Sequence, residues 1–139
     1  MTHVTLRAVH LIGLALWFGS LLLVSRLLKD HADAPEAARP SLLQIARRTQ
    51  LGFGIPGMAL TVGTGIKMLV DLPHYLELGG IHAMLAGTVV AVGVEVALFV
   101  LLRRAAAVPV LPKVAMALHA TAGLVLLVVV IAAERSLRG

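Results

Sequence analysis

The stretch Val4-Thr-Leu-Arg7-Ala-Val-His10-Leu-Ile-Gly13-Leu-Ala-Leu-Trp17-Phe-Gly-Ser-Leu-Leu-Leu-Val-Ser-Arg26-Leu-Leu28 decides the fold. It is longer than the ~20 residues a helix needs to cross the hydrocarbon core of a bilayer, and its interior holds neither carboxylate nor lysine. Three more apolar stretches follow, Leu51–Val70, Leu78–Leu102 and Val114–Ala133. Lipid offers no hydrogen-bond partner to an exposed backbone, and four segments cannot close a β-barrel, so all four must be helices. The expectation is an all-α integral membrane four-helix bundle of up-down topology. It forms a single transmembrane domain over residues 1–139, with helices at about 4–28, 41–70, 78–102 and 112–135.

Composition agrees. Of 139 residues, 59% are hydrophobic and 14% charged, with a mean hydropathy of +0.96; soluble domains are closer to half apolar and about a quarter charged. There is no cysteine, which excludes disulfides, thiolate metal sites, iron–sulfur clusters and covalent haem attachment through Cys-x-x-Cys-His. The net charge of +5 is distributed between apolar segments, as membrane topology requires, and not along a face suited to nucleic acid. Thr2–Arg7 and the apolar run behind it imitate a secretory signal. The run is too long and leads to no small-x-small cleavage site, so an uncleaved first span is expected.

The connections follow from composition. Lys29–Pro40 is polar, with Asp30, Asp33 and Glu36. Ser41–Gln50 lengthens the second helix into the interface, where Arg47 and Arg48 reach headgroup level. Leu72–Pro73 breaks the second connection, and Pro109 and Pro112 the third. Arg26, Lys29, Arg39, Arg47, Arg48, Arg103, Arg104 and Lys113 lie on one side, against Arg7, Lys67, Arg135 and Arg138 on the other. The richer side is expected to be cytoplasmic, with both termini outside a bacterial cytoplasmic membrane.

The spans carry ionisable residues that lipid penalises: His10, His82, Glu95 and His119. Such groups face a bundle interior, a cofactor or a watery cavity. At ~1.5 Å per residue, His10 and His82 each lie roughly 6–9 Å below the outer surface on parallel helices, whereas His119 belongs near the cytoplasmic side. Gly13 shares a face with His10, and Gly79 and Ala86 flank His82. Such a gap between helices suits a flat macrocycle, with Arg7 one turn outward to meet a propionate and Trp17 two turns inward on the same face. A b-type haem with His10 and His82 as its axial ligands is the expectation, copper at the same histidines (helped by Met84 or His74) the alternative, and plain interhelical hydrogen bonding the third. Glu95 and His119 approach a common depth and form a possible proton pair. His3, His31 and His74 are expected at solvent or interface positions. Pro56 is expected to kink the second helix, amid Gly52, Gly54, Gly57, Gly63 and Gly65.

These residues resemble a known family. Arg7-Ala-Val-His10, Leu14-Ala-Leu-Trp17-Phe18-Gly19 and Arg26 are similar to the first helix of the HemJ family of four-helix membrane proteins. The wider CopD-like group has a similar His–Trp–Gly helix. Arg47-Arg48, Ile55-Pro56-Gly57-Met58, Gly63-Thr64-Gly65 and Gly80-Ile81-His82-Ala83 extend the likeness. The resemblance implies haem binding at His10 and oxidation of protoporphyrinogen IX for HemJ, or copper handling for CopD. The lysine that the family carries two residues after its third-helix histidine is Met84 here, and Ala117-Leu118-His119-Ala120 has no counterpart. The functional expectation is a membrane-bound b-type haem protein with a redox role, either electron transfer or porphyrinogen oxidation, and a quinone or porphyrin as substrate. A non-catalytic subunit of a larger complex is the further alternative. So little polar surface implies a homo-oligomer or membrane complex.

Overall fold

The computed structural model describes residues 3–77, 79–108 and 110–138, with side chains except at 75 and 136–138. Thr2, Leu78 and Pro109, and the side chain of Arg138, used above, lie outside the described residues. Helix α1 runs His3–Asp33, α2 Arg39–Thr49, α3 Ile55–Asp71, α4 Gly79–Arg104 and α5 Pro112–Arg138. At ~1.5 Å per residue α1 is about 46 Å long, well beyond the hydrocarbon core. The polar segment expected to start a connection at Lys29 therefore continues α1 by one more turn. Two i,i+4 pairs hold it, Arg26–Asp30 at 3.2 Å and Lys29–Asp33 at 3.3 Å. Exposed pairs of this kind contribute a few tenths of a kcal/mol each, enough to extend a helix already nucleated by packing. A 3₁₀ turn at Glu36–Ala38 then reverses the chain, and Pro40 sits in the first turn of α2, where its missing N–H costs nothing.

The second span is one continuous rod, Glu36–Asp71, interrupted by a π-helical turn at Gln50–Gly54 in which the Ile55 N–H reaches back to the Gln50 carbonyl. The physical cause follows two residues later. Pro56 has no N–H to give, and its ring presses on the carbonyl of Gly52; one extra residue in the turn relieves that pressure. The irregularity near Pro56 takes the form of this widened turn, in which both Gln50 and Gly54 are buried.

Among the described residues four helices, α1, the α2–α3 rod, α4 and α5, are long and apolar enough to cross a membrane. They alternate in direction as an all-α four-helix bundle. Helix α1 is its axis: Trp17, Leu21, Val24, Ser25 and Leu28 are fully buried on one stripe. It packs most extensively on α3, then on α5, while α4 packs chiefly on α5. Helices α1 and α3 cross closely at two glycines. A Cβ on Gly57 would stand 2.6 Å from the Trp17 backbone nitrogen, and one on Gly13 would stand 2.8 Å from Thr61 Oγ1. Small residues at such a crossing are how membrane helices gain contact when lipid supplies no hydrophobic drive. Toward the end carrying Arg47, that residue's guanidinium donates to the Leu102 carbonyl at 3.1 Å and ties α2 to α4. The outer faces carry large exposed aliphatics such as Val4, Val89 and Leu124. A surface of that kind is solvated by lipid, and the protein sits in a bilayer.

Candidate functional site

Helices α3 and α4 lean on α1 and α5, and little on each other, in the half of the bundle where α1 begins. A cavity of about 420 Å³ fills the space. Its walls are mostly aliphatic, and a few groups carry chemistry: Arg7 and His10 from α1, Thr61 and Met68 from α3, Met84 and Thr88 from α4. Volume and lining match the general pattern of small-molecule sites, which are apolar with a few polar anchors.

His10 is oriented by α3. Its Nδ1 lies 3.0 Å from Thr64 Oγ1, and the Thr64 hydroxyl donates its own hydrogen back along α3 to the Leu60 carbonyl. With that hydrogen committed, Thr64 can only accept, so the network places a proton on Nδ1 and leaves Nε2 as the ring nitrogen open to a ligand. A partner on the other ring nitrogen is what orients a ligating imidazole and raises its basicity. Gly65 lets the ring lie against α3: a Cβ there would be 3.3 Å from His10 Cε1.

The remaining expected residues fall in several places. Arg7 lines the cavity beside His10. Gly13 does not; it serves the α1–α3 crossing. Trp17 is wholly buried in the core, against Phe18, and does not line the cavity. His82 is exposed and lies off the cavity, whereas Ile81, Met84, Leu85 and Thr88 face it. Equal depth on parallel helices fixes height but not azimuth, and position 82 is about 100° around α4 from its neighbour 81. The bis-histidine arrangement is thus not brought together. His3 and His74 are exposed as expected. His31 is not at a solvent position: it is 4% exposed at the end of α1.

Glu95 and His119 have different partners from the expected pair. Glu95, 3% exposed, accepts at Oε2 from Trp17 Nε1–H at 3.2 Å and at Oε1 from Gln50 Nε2–H at 2.9 Å. His119 Nδ1 is 2.9 Å from Ser25 Oγ. The π turn is what aims Gln50 at Glu95, so α1, the second span and α4 meet at one buried polar junction. Sequence reading missed Gln50, Thr64 and Ser25. A glutamine beside a Gly-x-Gly-x-Pro run was a signal for the first, and a threonine in register with a small-residue face for the second. Among the described residues no three His, Asp, Glu or Cys side chains gather into a metal-binding group.

Fold and cavity together define a class: a four-span membrane bundle holding an oriented imidazole in an apolar intramembrane cavity. Over 92 residues the chain is 29% identical to the protoporphyrinogen IX oxidase of Synechocystis sp., a match covering 61% of this chain and 44% of that protein. The chain thus spans less than half the length of this curated relative. The likeness to HemJ is supported as a distant and partial one, while the CopD-like resemblance gains no support. No family model matches the chain, and no solved structure matches it.

Proposed function

We propose that this chain is a porphyrinogen-oxidising membrane protein that holds a haem b in the cavity at His10. The observation that carries the reading is that imidazole: fixed by Thr64, with Nε2 as its accepting nitrogen, inside an apolar cavity walled by four helices. The distant relationship to a protoporphyrinogen IX oxidase supports a tetrapyrrole as the occupant. The residues present fit the group. The donor is an imidazole that Gly65 lets lie against α3, and the walls are aliphatic enough to exclude water. Haem when bound supplies one-electron chemistry, and its potential is set by axial ligands and burial.

The chain's own groups supply the rest. Thr64 holds the His10 tautomer. The Arg7 guanidinium, in the cavity wall, would hold a carboxylate of a propionate-bearing macrocycle as planar forks do. Oxidation of a porphyrinogen to a porphyrin releases electrons and protons in equal number, and a membrane quinone takes up both on becoming a hydroquinone. A site within the bilayer lets the quinone arrive through lipid.

The test uses the purified full chain in detergent, given protoporphyrinogen IX and a short-chain quinone under anaerobic conditions. Porphyrin fluorescence should rise well above the rate without protein, and the protein should carry a Soret band. His10→Ala should abolish both. Porphyrin formation at the protein-free rate, from a preparation without a Soret band, refutes the proposal.

A further inference from the structure

We infer that Met84 is the second axial ligand, binding the iron through its thioether sulfur opposite His10. The inference rests on the haem reading above and takes it further, from one ligand to the pair. Axial ligands approach a macrocycle from opposite faces. His10 is bound to α3 through Thr64 and rests on Gly65, so α1 and α3 make one wall of the cavity. The facing wall is α4, which packs chiefly on α5, lines the cavity and makes little contact with α3.

Helix α4 presents Ile81, Met84, Leu85 and Thr88 to the cavity, which is the i, i+3, i+4, i+7 face of one helix. Two of these are hydrocarbon. The Thr88 hydroxyl donates to the Met84 carbonyl at 2.9 Å, and a neutral alcohol is a poor iron ligand. Met84 alone on this wall carries a soft donor, on an unbranched side chain that adapts to the space it meets. The other candidates are placed wrongly. His82 is exposed and off the cavity, Met68 belongs to the wall that holds His10, and α5 contributes Ala133, which has no donor.

The consequence is functional. Methionine in place of a second imidazole raises the reduction potential of a haem, which favours withdrawing electrons from an organic reductant such as a porphyrinogen.

The haem-loaded full-length protein is examined by optical and near-infrared magnetic circular dichroism spectroscopy, with midpoint potentials from redox titration. The wild type should be low-spin, with the charge-transfer band that a thioether ligand gives ferric haem. Met84→Leu should lose that band and become high-spin. Met84→His should be low-spin again, without the band and at a more negative potential, which shows that the position is properly folded and within reach of the iron. His82→Ala and Met68→Leu should keep the wild-type spectrum. A Met84→Leu protein with an unchanged low-spin spectrum, or a high-spin His82→Ala or Met68→Leu protein, overturns the assignment while leaving haem binding intact. A wild type without any Soret band overturns the haem reading and this inference together.

Discussion

Replacing Glu95 by Leu tests the junction that joins three of the four spans. Leucine keeps similar bulk, so the change is chiefly the loss of two acceptors. Trp17 Nε1–H and Gln50 Nε2–H, on side chains 0% and 2% exposed, lose the oxygens at 3.2 and 2.9 Å. An orphaned buried donor costs about 1–3 kcal/mol in soluble proteins, and interhelical bonds in membrane bundles average about 0.6, reaching about 1.7. Gln50 keeps a fallback, because its Nε2 is already 3.4 Å from the Glu95 backbone carbonyl. Among the described residues the indole N–H has no second acceptor, so most of the loss falls on Trp17, and about 2 kcal/mol in total is expected. Glu95→Gln keeps an acceptor oxygen and the side-chain length, and should cost under about 1 kcal/mol. The assay is thermal or denaturant unfolding in detergent, read by fluorescence of the sole tryptophan, whose indole N–H is itself half of the bond. Emission should shift in Glu95→Leu and hardly in Glu95→Gln. Equal stability and identical emission in the two variants would show that the junction is not holding the helices.

Other consequences can be measured independently. Thr64→Val removes the acceptor of His10 Nδ1–H and should weaken haem retention about 10- to 100-fold, the usual cost of losing a partner behind a ligating histidine; unchanged retention in a haem-transfer assay would dissociate Thr64 from the site. Gly57→Ala drives a methyl to 2.6 Å from the Trp17 backbone nitrogen, where neither helix has a flexible end to move aside. It should destabilise by about 1–3 kcal/mol, seen as a lower unfolding midpoint, whereas Gly63→Ala, where nothing lies within 4 Å, should be neutral. His119→Ala removes only the Ser25 contact and should leave any haem spectrum unchanged; a high-spin product would reassign the ligand. For orientation, a reporter active only outside the cytoplasm should work when fused after Gly139, and activity at a fusion near Asp33 instead would invert the topology.

Helix number was legible because the bilayer imposes it: a run of some 20 apolar residues has one spanning solution. What faces what was legible only where side chains differ. On α1 the buried positions Gly13, Trp17, Ser20, Leu21, Val24 and Leu28 recur at helical spacing and include the large, polar or small residues that lipid would not choose. His10 stands on the same helix, in the wall of the cavity between the helices. Helix α4 gave no such guide. From Ile81 to Leu102 it is Ala, Gly, Val and Leu on every side, broken by His82, Met84, Thr88, Glu95 and Phe99. In water an apolar stripe marks the core, but lipid is as apolar as leucine, so the stripe disappears from the pattern. With azimuth unmarked, depth was the only coordinate left, and depth paired His10 with His82 and Glu95 with His119. Both pairings fail on rotation about a helix axis. The lipid-facing turn takes His82 out of the cavity and puts Met84 in, and the π turn before Pro56 rotates Gln50 onto Glu95. That second rotation follows from a backbone hydrogen bond to residue i−5, which proline makes necessary and which hydropathy cannot record. The polar residues of α4 thus find their partners through the irregular segment of a different helix, and the junction and the cavity share α1 as their common wall.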